Sequence, residues 1–284
     1  MKNLFFFLAL LIFSACKNSA TDTLDQESVT YERIISLKGV YTEILFDLGL
    51  SSKIVGVDVT SAYPEAARSI ESVGHISGVT ASGLASLNPD LVLYPEGELS
   101  ADILEQLSAL GIKTIGLQQD YSVDGAKSLI RQIAEITAKT DVAKSKLADF
   151  DKEIALFKAS KNNLSVCFIY ARGAGTLMVG GGNTPMGALI NLVGAKNPFE
   201  DYDGFVPLNS EAMAVANPDV LFVFESGLQS LGGASGLLSI EGVSLTKAAK
   251  SKQIVVMDGS LVSHFALRLP QALIELQNQL QTFQ

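Results

Sequence analysis

The chain has 284 residues, 48% hydrophobic and 18% charged, and its 30 acidic against 21 basic side chains leave a net charge of −9. That apolar share excludes a solvating, unfolded sequence, and the acidic balance argues against a nucleic-acid partner. Two cysteines in a chain of this length exclude a scaffold built on disulfides, so the core alone must hold it.

Met1, Lys2 and Asn3 form a short positive head, followed by an unbroken apolar run over residues 4–13. The run is well short of the about 20 residues that span a bilayer, so it reads as a signal peptide. Small Ser14 and Ala15 precede Cys16 as in a lipobox, the processing site of bacterial lipoproteins. In this reading residues 1–16 are the signal with its lipidated Cys16, and 17–30 are a polar tether. The alternative is an ordinary cleaved signal with an incidental cysteine. Cys167 lies in an apolar run and is expected to be a buried small hydrophobe.

Strands are expected at 33–37, 54–57, 91–94 and 112–117, then at 165–171, 177–179, 220–224 and 254–257. Most are unbroken apolar runs, the pattern of strands covered on both faces. Helices are expected between them, among them 40–48, 99–110, 185–192 and 269–283. The alternation predicts parallel sheets built from right-handed crossovers. The halves also echo each other. Asn88-Pro89-Asp90 and Asn217-Pro218-Asp219 each follow a helix end and open a buried strand, and Gly49 and Gly194 each end a similar helix. Two similar lobes are therefore expected, over 31–122 and 162–284. Between them, 123–161 reads as one helical segment without proline. Its core at 141–160 would be roughly 30 Å long at 1.5 Å per residue, and a single rigid helix predicts only modest closure of the lobes.

These elements carry a resemblance. Arg33-Ile34-Ile35-Ser36-Leu37, Thr42-Glu43-Ile44, Leu48-Gly49 and Ile54-Val55-Gly56-Val57-Asp58 resemble the class III periplasmic binding proteins. Those proteins serve ABC importers of iron-siderophores, cobalamin and haem. Tyr63-Pro64-Glu65-Ala66-Ala67, Val73-Gly74 and Ala171-Arg172-Gly173-Ala174-Gly175 are similar to the haem-binding branch. The resemblance implies an α/β fold of two Rossmann-like lobes joined by one long α-helix. It also implies a monomer that captures haem between the lobes and hands it to a permease and its ATPase, anchored to a membrane by its lipid.

In that branch a tyrosine at the Tyr63 position is an axial ligand to haem iron, a role that suits a hard phenolate donor. The second ligand stays open between the only two histidines, His75 and His264. Arg172 or Arg268 is expected to pair with a haem propionate, since a guanidinium fork fits a carboxylate. Lys38 stands where relatives carry glycine, which alters the cleft rim. Acidic residues on each lobe are expected to dock on permease arginines, here Glu98 or Asp102 on the first and Glu225 or Glu241 on the second.

No enzyme constellation is present. The glycine-rich Gly180-Gly181-Gly182-Asn183-Thr184-Pro185 stretch lacks the lysine ending of a phosphate loop and reads as a tight turn before a helix. Ser244-x-x-Lys247 is too short a match to carry a β-lactamase reading. Two rivals to haem remain, a siderophore or corrinoid in the same fold and a secreted α/β enzyme. Siderophore sites favour several Arg and Trp residues, and this chain has no Trp.

Overall fold

The computed structural model describes residues 30–160 and 163–284. Cys16 and its lipobox lie outside the described residues. The first lobe holds β1 (Ile34–Ser36), α1 (Gly39–Asp47), β2 (Ile54–Val57), α2 (Ala81–Ala85), β3 (Leu91–Pro95), α3 (Ala101–Ala109) and β4 (Lys113–Leu117). Its four strands run parallel in the order β2-β1-β3-β4. Their side chains feed two cores. Ile34, Leu91 and Leu93 pack against α1 on one face, and Ile35, Leu37 and Val92 pack against Leu84 and Leu107 on the other. Burial on both faces is why these strands read as continuous apolar runs.

Two helices follow, α4 (Val123–Ile136) and α5 (Thr140–Leu156). The stretch 123–161, expected as one helical segment, is thus folded in two. Ala138 adopts a left-handed φ of 53°, and the Lys139 amide turns back to the Ala134 carbonyl at 2.7 Å. The physical reason is tertiary. Leu129, Ile130 and Ile133 of α4 are spent in the first-lobe core, and turning the chain lets α5 return beside them, tied by Lys127–Asp151 at 2.6 Å. It is α5 that carries the chain across, placing Ala143 and Leu147 in the first-lobe core and Phe150 in the second.

The second lobe holds β5 (Val166–Ala171), β6 (Leu177–Gly180), α6 (Pro185–Leu192), β7 (Phe205–Pro207), α7 (Ser210–Ala216), β8 (Val220–Phe224), α8 (Glu225–Ser230), α9 (Ala234–Leu238), α10 (Lys247–Ser251), β9 (Ile254–Met257), α11 (Gly259–Ser263) and α12 (Leu269–Gln281). Its strand order is β7-β6-β5-β8-β9, with β5, β8 and β9 parallel and β6 and β7 added antiparallel at one edge. The edge strand β7 was not expected, being three residues long, partly exposed and ended by a proline. Thr184 accepts from the Gly187 amide as N-cap of α6 with Pro185 in the first turn, so the glycine-rich stretch is the tight turn it was read to be. Cys167 is fully buried, and burial pushes its thiol well above the ordinary range.

Candidate functional site

The carboxyl ends of the parallel strands in both sheets face one cavity of about 610 Å³. Ligands of open α/β sheets bind at such ends, and the volume lies within the range of about 300–1,000 Å³ of small-molecule sites. The β1–α1 turn supplies Lys38 and Gly39, the loop after β2 supplies Asp58, Thr60 and Ala62, and Glu98 stands beyond β3. Tyr170 of β5, Met178 of β6, Phe205 of β7 and Phe224 of β8 face them from the second lobe. Gly259, Ser260, Ser263 and His264, in and just after α11, close one side.

The loop after β2 is shaped by its own polar groups. Buried Asp58 accepts from the hydroxyls of Thr60 and Ser61 at 2.7 and 2.9 Å, and Thr60 in turn accepts from the Gly39 amide at 2.8 Å. Residue 39 has to be glycine, because a Cβ there would meet the Thr60 carbonyl and come within 2.7 Å of His264 Nε2. Lys38 has no salt bridge among the described residues; its ammonium lies 5.9 Å from the Tyr41 ring centroid. Burial pulls its pKa below the usual lysine range, against the opposing pull of Glu98 and Asp58.

Tyr63 follows that loop, joined to Pro64 by a cis peptide and 39% exposed. It stands beside the cavity rather than on its wall, with the Arg268 guanidinium 3.5 Å from its ring centroid. Arg268 is held by Glu43 through two bonds, Nε to Oε1 at 2.8 Å and Nη2 to Oε2 at 2.6 Å. The same Oε2 meets His264 Nδ1 at 2.5 Å. Glu43 is only 1% exposed. Burial pushes its carboxyl up, but the bonds from Arg268 and His264 outweigh that and hold it below the usual range. Arg268 is lowered by burial and raised more strongly by Glu43, and so stays charged.

The opposite wall is aromatic. Phe224 packs on Phe168 at 4.7 Å between centroids and meets Tyr170 edge-on at 6.2 Å, and Phe205 lies 6.2 Å from both Phe168 and Tyr170. Such rings, tilted and edge-on to one another, present an apolar surface whose geometry is fixed by their neighbours.

The structure therefore brings Lys38, His75 and His264 to one cavity, and sets Tyr63 and Arg268 beside it. His75 is exposed there, its Nδ1 engaged by Ser77. Two expectations need correction. Arg172 is exposed on the β5–β6 turn, its amide bonded to the Thr176 carbonyl, and is not on the cavity wall. Arg268 does not offer a free fork to a ligand carboxylate, since Glu43 occupies it. Glu98 lines the cavity, whereas Asp102, Glu225 and Glu241 are exposed outside it. Sequence reading missed the aromatic wall and Glu43. The signal for Glu43 was an acid amid Val40, Tyr41, Ile44 and Leu45, on a helix buried almost all round.

Residues 34–261 match the periplasmic binding protein family, and the chain belongs to it. This is a family of binding proteins, in keeping with the lack of a catalytic set in the sequence. Over 254 residues the chain is 30% identical to YvrC, an ABC transporter substrate-binding lipoprotein of Bacillus subtilis, covering 86% of this chain and 78% of that one. It is 27% identical to a vitamin B12-binding protein of Vibrio vulnificus, over 72% of this chain and 76% of the other. Among solved structures it is similar to the periplasmic heme-binding protein RhuT from Roseiflexus sp. RS-1 in apo form. That match has a TM-score of 0.82 and 32% identity, and covers 89% of this chain and 98% of that one.

Proposed function

We propose that the protein captures haem between its lobes and delivers it to the permease of an ABC importer. The observation that carries this reading is the cavity itself, with an aromatic wall facing a polar one and Tyr63 at its edge. The aromatic wall suits the face of a macrocycle. Lys38, a cationic side chain with no salt bridge among the described residues, suits a propionate. Tyr63 is the proposed axial ligand of the iron, with the Arg268 guanidinium packed over its ring. Similarity to RhuT supports haem, and similarity to YvrC supports an ABC importer and a lipid anchor at Cys16. Exposed Asp102 on the first lobe and Glu225 or Glu241 on the second are the proposed contacts to the permease. A corrinoid is the second reading, favoured by the vitamin B12-binding relative.

Haemin titration of the protein lacking residues 1–16, followed by absorbance, tests this beside Tyr63→Ala. Saturable binding with ferric bands that the substitution abolishes is expected. Saturable cyanocobalamin binding without haemin binding would hand the site to the corrinoid reading.

A further inference from the structure

We propose that Glu43 is a positioning residue that sets the tautomer of His264, fixing the ring proton on Nδ1 so that Nε2 presents a lone pair to the ligand. The identity of the group that meets Nε2 rests on the haem reading; the tautomer does not.

The argument is one of counting donors. An ionised carboxylate only accepts. Glu43 Oε1 takes Arg268 Nε at 2.8 Å, and Oε2 takes both Arg268 Nη2 at 2.6 Å and His264 Nδ1 at 2.5 Å. With two guanidinium donors on it, the buried carboxylate stays ionised, and His264 Nδ1 must be the donor. A neutral imidazole with its proton on Nδ1 has none on Nε2.

The rest of the ring's setting agrees. His264 is 6% exposed and lies on the cavity wall, yet Nε2 has no hydrogen-bond partner among the described residues. Nε2 sits against Gly39, the first residue of α1. The ring's backbone is fixed as well, its carbonyl accepting from Gln119 Nε2 at 2.8 Å and its amide donating to the Ser260 carbonyl at 3.2 Å. A carboxylate behind a histidine orients the ring and raises the basicity of its far nitrogen, the arrangement by which proteins prepare imidazole to bind a metal. His264 is thereby prepared to donate to the metal of a bound metalloporphyrin, and one carboxylate governs both this ring and the arginine that covers Tyr63.

The chain has two histidines, so a long-range ¹H–¹⁵N spectrum of apo-protein labelled at histidine, taken at about pH 8 where free imidazole is neutral, shows two rings. His75→Ala leaves His264 alone. A protonated Nδ1 and a bare Nε2 are expected. Glu43→Gln can still set its one accepting oxygen where Arg268 Nη2 and His264 Nδ1 meet, so the variant that tests the tautomer is Glu43→Ala, which leaves Nδ1 without an acceptor and no longer holds the proton there. A wild-type ring protonated on Nε2, or an Ala variant that keeps its proton wholly on Nδ1, would overturn the proposal. The wild-type spectrum decides even where the variant does not fold. In the haemin titration, Glu43→Ala and His264→Ala should each weaken binding about 10–100-fold and change the absorption bands. A changed tautomer with unchanged affinity and bands would refute the ligand role of Nε2. A wild-type protein that binds no haemin would refute the haem reading while leaving the tautomer result standing.

Discussion

The first lobe gives the cavity Lys38, Asp58, Thr60 and Glu98, whereas the second gives it Tyr170, Met178, Phe205 and Phe224. The difference has a structural origin. In the first sheet, β1 and β2 hand over to loops at the cavity, where Thr60 satisfies the Gly39 amide and is itself held by the Asp58 carboxylate. In the second, the antiparallel addition continues the sheet into the wall. Tyr170 pairs with Met178 and Gly180 with Phe205 across the ladder, so the wall runs from the ends of the interior strands β5 and β8 to the edge strand β7 and carries their aromatic rings. One side is thus tuned by hydrogen bonds and charge, the other by apolar area. A ligand with an apolar face and an ionised or metal-bearing part satisfies both.

The largest effect should come from emptying the polar side at its root. Glu43→Ala leaves Arg268 and His264 buried without their carboxylate, which costs about 3–5 kcal/mol, read from urea unfolding. The contribution has a defined pH sign. A carboxyl held low in the folded state stabilises fully above its unfolded value of about 4.3 and loses that stabilisation as pH falls through the lower folded value. Asp47, whose pKa is raised chiefly by burial and in part by Glu43, titrates with the opposite sign, so the difference between wild type and the Ala variant carries the Glu43 contribution less a smaller opposing one from Asp47. A variant equal to wild type at neutral pH would show that the network contributes nothing net.

On the aromatic side, Phe205→Ala should separate binding from stability. The ring is 38% exposed, so its loss should cost the fold little. Removing its stacking area should weaken haemin by about tenfold, in line with the roughly 0.5–1.5 kcal/mol of an aromatic contact. Unchanged affinity would show that the aromatic wall is not what the ligand uses. Smallest is Lys38→Met. Because burial lowers this lysine's pKa, its charged form opposes folding below that folded value, and stability recovers as pH rises through it toward the unfolded one. The Met variant should therefore be as stable as wild type or slightly more so at neutral pH, within about 0.5 kcal/mol, without the alkaline recovery. Its haemin affinity should fall and lose part of its salt dependence. An unchanged salt dependence would mean that no ligand anion meets Lys38.

Much of this was legible in the sequence because burial on both faces writes itself as unbroken apolar runs. β2 and β8 were read with the boundaries the structure gives them. The break between α4 and α5 was not, because a left-handed turn at Ala138 runs against local preference and is imposed by the core. Of the expected site residues, Lys38, His75 and His264 line the cavity and Arg172 does not, since a loop position in the sequence carries no direction. Glu43 and the aromatic wall stayed hidden because each sits inside a regular element, where the eye assigns a side chain to packing.

Ala266 has a consequence for the order in which the chain can become native. It lies in the first-lobe core with Ile44, Leu45 and Leu129, although it follows the whole second sheet in sequence. The first sheet emerges early in synthesis, yet the core on its α1 face lacks Ala266 until the segment after α11 arrives. The two lobes should therefore melt as one cooperative unit, and a chain cut after α5 would keep its strands without a closed interior.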